Sequence, residues 1–144
     1  MQHHRILRVV TKFFLPLILL FGLYVQFHGD YGPGGGFQAG VIVAAAMILY
    51  TLVFGFGNAI RVAPPAILRA CSAAGVLIYL GTGVANMLLG ADFLDYGSFV
   101  PDHRSHGEHY GILAVELGVG LTVASTLLLI FFAFAGRSET EDAD

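Results

Sequence analysis

Charge and cysteine are scarce in this chain, and each scarcity closes off a class of protein. Charged residues make up 12% of its 144 positions, against roughly 25% in soluble globular domains. A chain of this length cannot hide so large an apolar excess by folding on itself in water. The single cysteine, Cys71, excludes an intrachain disulfide and any multi-cysteine metal site. A net charge of −3 gives nucleic acid no electrostatic footing. No small-residue cleavage site follows the first apolar run, so that run is expected to stay as an anchor. No internal repeat is evident. No Ser-His-Asp order or carboxylate dyad stands out, so hydrolytic chemistry is not expected.

What the chain has instead is apolar length. Hydrophobic residues account for 56%, and the mean hydropathy is +0.76. Four apolar runs predict four membrane-spanning helices over about 9–27, 37–59, 66–89 and 110–135. Each reaches the roughly 20 residues that a 30 Å hydrocarbon core requires. The expected fold class is an all-α integral membrane protein, with a four-helix domain over 1–137 and an acidic tail over 138–144. Lys12 intrudes near the start of the first span, where its ammonium can snorkel to the interface. Pro16 removes one helical hydrogen bond inside that span and predicts a mild kink. Pro64-Pro65 suits the start of the third helix, where a missing N–H costs little.

Orientation follows from the basic residues. Arg5, Arg8, Lys12, Arg61, Arg69 and Arg137 fall on one side, and only Arg104 on the other. The positive-inside rule therefore predicts cytoplasmic termini and outward-facing segments at 28–36 and 90–109. Tyr24, Tyr31, Tyr96 and Tyr110 fall near the outer interface, where amphipathic rings gather.

The outer connection between the first two spans reads HGDYGPGGGFQAG over 28–40. It is not a phosphate loop, because no Gly-Lys-Ser/Thr follows and no strand precedes it. Pro33 stops helical continuation and the glycines permit a tight turn. A turn alone needs one or two glycines, whereas Gly34, Gly35 and Gly36 come together. Gly36, Gly40 and Ala44 recur every four residues, a small-residue row that lets another helix approach closely.

Glu116 is the sharpest single residue. It falls about six residues, roughly 9 Å, into the fourth predicted span. A carboxylate there costs a few kcal/mol and is either a functional group or a buried structural contact. Asn86 and Gln38 are candidate partners at similar depth, and Gly120 lies one turn beyond Glu116 on the same face. His28, Asp30, Asp92, Asp95 and Asp102 make the outer side locally acidic, which would either concentrate cations at a mouth or simply be solvated. His103, His106 and His109, with Glu108 beside them, have the residue types of a zinc site. Such a cluster is more often an exposed or interfacial histidine patch. No metal or other cofactor is expected; a haem would need histidines on facing helices, and all six histidines fall at ends or in loops.

Two stretches carry a family resemblance. His28-Gly29-Asp30-Tyr31-Gly32-Pro33-Gly34-Gly35-Gly36-Phe37, followed by Gln38-Ala39-Gly40, resembles the H-G-x-x-x-P-G-G-G-F-x-x-G signature of the MnhB-type subunit of the multi-subunit Mrp (Mnh) monovalent cation/proton antiporters. Glu116-Leu117-Gly118-Val119-Gly120 resembles the acidic-x-G-V segment of that family's last helix. The resemblance implies a subunit without catalytic residues of its own, in complexes that exchange sodium or another monovalent cation for protons across a prokaryotic plasma membrane. The implied partners are other hydrophobic subunits, among them large ones similar to proton-pumping chains of respiratory complex I, together with the lipid bilayer. Membrane-bound hydrogenases have a related subunit, so a redox pump is an alternative parent complex. A self-sufficient small transporter built around one carboxylate is another.

Overall fold

The computed structural model describes residues 2–29, 32–99 and 103–141. Its elements are helices α1 (Gln2–His28), α2 (Gly36–Phe54), α3 (Phe56–Val62), α4 (Pro65–Leu88) and α5 (Arg104–Glu141), with a 3₁₀ turn at Tyr96–Phe99 between the last two. Four helices contain stretches long and apolar enough to cross a membrane: Arg5–His28, Gly36–Phe54, Pro65–Leu88 and Ser105–Gly136. The chain is a multi-pass membrane protein of all-α architecture.

Helix α5 is the axis of the molecule. It packs against α2 on one side and α4 on another, while α1 lies mainly on α2. Small residues explain how closely these helices sit. Ala39, Gly40, Ala44 and Ala46 of α2 are buried, as are Gly75 and Gly83 of α4. A Cβ on Gly118 would lie 2.7 Å from the Gly75 carbonyl oxygen, so α4 and α5 meet backbone to backbone. Ser72 and Thr126 share a hydrogen bond of 3.0 Å across the same interface. Towards the other end, Ala44, Ala59, Leu68, Leu128 and Phe132 form an apolar cluster, with Phe56 set edge-on to Phe132 at 5.5 Å.

Two boundaries differ from those read in the sequence. The second apolar run, expected as one helix over 37–59, is divided at Gly55. That residue has φ 93° and ψ 152°, a backbone state open essentially to glycine alone. Apolar periodicity does not register such a break, because the residues on both sides remain apolar. The fourth helix begins at Arg104, not near Tyr110, and extends for 38 residues. At 1.5 Å per residue it is about 57 Å long, well beyond the hydrocarbon thickness. The polar 104–109 segment, read in the sequence as part of the outer connection, is thus helical.

Helix α4 ends in a left-handed glycine cap. Gly90, at φ 82°, donates its N–H to the Met87 carbonyl, and Ala91 donates to Asn86. This double pattern satisfies two of the carbonyls that a helix end leaves over. Helix α1 continues through Pro16.

A carboxylate in a glycine cage

Helix α1 ends at His28, and the chain turns back to begin α2 at Gly36. Gly32 donates to the His28 carbonyl and Gly35 to the Val25 carbonyl, both at 3.1 Å, which folds the connection down onto the end of α1. Each of the three consecutive glycines meets a different demand. A Cβ on Gly34 would lie 2.9 Å from the Val25 carbonyl oxygen. Gly35 has φ 110° and ψ −178°, again a conformation reserved for glycine. Gly36 rests on the main chain of α5, where a Cβ would collide with the Glu116 carbonyl.

The Glu116 side chain enters this fold of backbone. A Cβ on Gly35 would sit 2.8 Å from its Oε1, and one on Gly29 would overlap the same carboxylate. Oε2 is shielded from solvent. Gly35 is the N-cap position of α2, and the amino end of a helix favours a negative charge beside it. Main chain walls the carboxylate on the α1–α2 side, and its neighbours are protein.

The other candidate residues divide around this centre. Gln38 borders it: its Oε1 is 3.9 Å from a Cβ placed on Gly35. Gly40 and Gly120 continue the α2–α5 contact one turn further, where a Cβ on Gly40 would be 2.7 Å from the Gly120 carbonyl oxygen. Gly118 turns to α4 instead. His28 is half-buried beneath the loop, stacked on Tyr24 with ring centroids 5.1 Å apart and with its Nε2 facing Gly32. Pro33 and Phe37 are exposed.

Asn86, read as a neighbour at the depth of Glu116, lies on α4, seven residues beyond Tyr79, the residue that meets Gly118. It is completely buried. Asp30 and Tyr31 lie outside the described residues, as does Asp102. His103 and His106 are edge-on at 5.7 Å, while His109 pairs with Tyr110 at 5.8 Å. Among the described residues, no group of three or more His, Cys, Asp or Glu is arranged to hold a metal ion. Tyr96 packs on Gly111, and burial pushes its phenol above the ordinary value of 10.0, with Tyr79 beside it adding to the rise.

One residue of the site is not evident from sequence. Gln26 on α1 is 7% exposed, and a Cβ on Gly120 would lie 2.5 Å from its Oε1. Gly120 is one helical turn from Glu116, so a buried amide stands beside the carboxylate cage. A signal exists, since Gln26 is a polar residue inside the first apolar run. Its nearness to the helix end makes it resemble an ordinary interfacial residue.

The fold is that of a multi-pass helical membrane protein, with a carboxylate set against main chain at a helix junction. Comparison with known proteins makes the class specific. Residues 6–129 match the family described as a domain related to the MnhB subunit of the Na+/H+ antiporter, and the chain belongs to that family. It is 32% identical over 133 residues to a protein of Staphylococcus haemolyticus, covering 91% of this chain and 94% of the relative. Proteins of Staphylococcus epidermidis and of Staphylococcus aureus strain Newman are each 30% identical over the same coverage. All three carry, provisionally, the name antiporter subunit mnhB2.

Proposed function

We propose that this chain is the MnhB-type subunit of a monovalent cation/proton antiporter complex in a prokaryotic plasma membrane, with both termini cytoplasmic. In this reading it has no catalytic reaction of its own. It packs between larger subunits, and Glu116 lines the outer part of an ion route. The observation that carries the reading is the carboxylate set against Gly29 and Gly35 at the start of α2. A caged carboxylate can release a proton and accept a cation without a side chain rearranging around it, because glycines supply its walls. Gln26 and Gln38 offer uncharged oxygens at its border.

The family match and the relatives' names support antiport as the activity of the assembly. The basic residues at the N-terminus, near the α2–α4 connection and beyond α5 support the orientation.

Replacement of Glu116 by Gln tests the role directly, since shape and cage are kept while the charge is lost. The expected result is an assembled complex whose sodium-dependent proton efflux is lost or shifted in its pH profile. Full activity in the assembled variant would remove Glu116 from the ion route. Identification of the chains that co-purify tests the assembly: large antiporter-like subunits are expected. Iron–sulfur or nickel–iron subunits would assign the chain to a redox pump, and a stable homo-oligomer would favour a small transporter.

A further inference from the structure

At the opposite end of α1 and α2 from the glycine cage lies a second cavity, of about 480 Å³, whose lining includes Arg8, Lys12, Pro16, Tyr50, Phe54 and Asn58. Tyr50, Phe54 and Asn58, four residues apart in sequence, line it across the break at Gly55. The Asn58 Nδ2 donates to the Phe54 carbonyl at 2.8 Å, which fixes its amide at the rim.

Two cations face this space from one side of α1, four residues and therefore about one turn apart. Lys12 is exposed, and its Nζ stands 5.9 Å from the centroid of the Phe54 ring. It also lies inside the Arg5–His28 span, where an ammonium needs an anion or a path to the surface. The acids of the chain at this end are those of the tail, Glu139, Glu141, Asp142 and Asp144. Between Met1 and Gly29, and again between Tyr31 and Ala91, the sequence holds neither Asp nor Glu. Pro16 adds a further polar feature, because it cannot donate to the carbonyl of Lys12 and leaves an acceptor at the same level. Beside these polar groups lie Leu15 and Phe54, so the cavity is basic and hydrogen-bonding at one edge and apolar at the other.

We propose that this cavity binds the phosphodiester of an anionic phospholipid. Arg8 and Lys12 hold the phosphate, Asn58 and the Lys12 carbonyl receive headgroup hydroxyls, and the acyl chains run along the apolar wall towards the exposed face of α1. Basic pockets between membrane helices are a recurrent form of anionic headgroup site, and the volume is that of a small-molecule site. The assignment does not depend on which complex the chain joins.

The test is native mass spectrometry of the full chain in neutral detergent, titrated with phosphatidylglycerol or phosphatidylcholine. The expected result is a preference of about tenfold for phosphatidylglycerol, lost in the Arg8→Gln/Lys12→Gln double variant and kept in Lys12→Arg. Single variants at each position should each lose part of it, and far-ultraviolet circular dichroism should show unchanged helix content. Arg69→Gln, a basic residue outside the cavity, should bind as the parent does. Equal binding of the two lipids, or equal loss in Arg69→Gln, would overturn the proposal. Displacement by millimolar inorganic phosphate would overturn the lipid in favour of free phosphate. Tighter phosphatidylglycerol binding after removal of residues 138–144 would overturn it in favour of the acidic tail as the occupant.

Discussion

The main chain of Glu116 occupies the space that a side chain on Gly36 would need. The same residue therefore does two things. Its backbone seats α2 on α5, and its carboxylate reaches round to the cap of α2. Replacing the side chain and replacing the glycine probe these roles separately.

Gly36→Ala drives a methyl group into backbone that has no rotamer with which to yield. The helices must part, at a cost of about 1–3 kcal/mol for overpacking. Thermal unfolding in detergent and the yield of intact complex should both fall. Gly57→Ala is the control, because nothing lies within 4 Å of a Cβ there. Equal stability of the two variants would show that the close contact contributes nothing.

Gly55→Ala isolates backbone conformation from contact. No neighbour lies within 4 Å, but φ is 93°. A loss of about 1–3 kcal/mol is expected from the strained dihedrals alone. An unchanged melting temperature would mean that the break between α2 and α3 is easily straightened.

Ser72→Ala removes the hydrogen bond to Thr126 and should cost only about 0.6 kcal/mol, the usual worth of such a bond between membrane helices. Gly75→Val, three residues along α4, should cost several times more, because a Cβ there already meets the Gly118 carbonyl oxygen at 2.5 Å. Reversible unfolding in mixed detergent micelles would measure both. The reverse order would make polar bonding, and not close approach, the main tie between α4 and α5.

Tyr96 gives a pH dependence of definite sign. Its phenol is raised in the folded protein by burial and by Tyr79. A raised acid holds its proton more tightly when folded, so its stabilising share is complete below pH about 10 and fades as pH climbs through the raised value. Melting temperatures taken across pH 9 to about 12 should fall less steeply for Tyr96→Phe than for the parent. Parallel slopes would show that the hydroxyl does not feel its surroundings.

The four spans are legible because apolar length alone specifies them; no tertiary contact is needed to read a run such as 110–135. The spacing of Gly36, Gly40 and Ala44 is equally visible, yet which helix it meets is not, since small-residue rows carry no address. The Gly55 break is hidden because glycine inside an apolar run reads either as a packing residue or as a bend, and only the dihedral decides. Gln26 is obscured for a related reason: an amide near a helix end is ordinary until a glycine on another helix is found against it. The helical start of α5 at Arg104 is masked by polarity, which hydropathy reads as loop.

Helix α2 is bracketed by Gly35 and Gly55, both in conformations that end a helix. Its 19 residues give a rod of about 28 Å, slightly less than the usual hydrocarbon thickness. The other three spanning stretches run to 24 residues or more and have length to spare. In a bilayer built from longer acyl chains, those three can lean to take up or shed length, but α2 cannot be extended at either end. The lipid around it must thin to meet it, so membrane thickness is felt by this protein first through its shortest spanning helix.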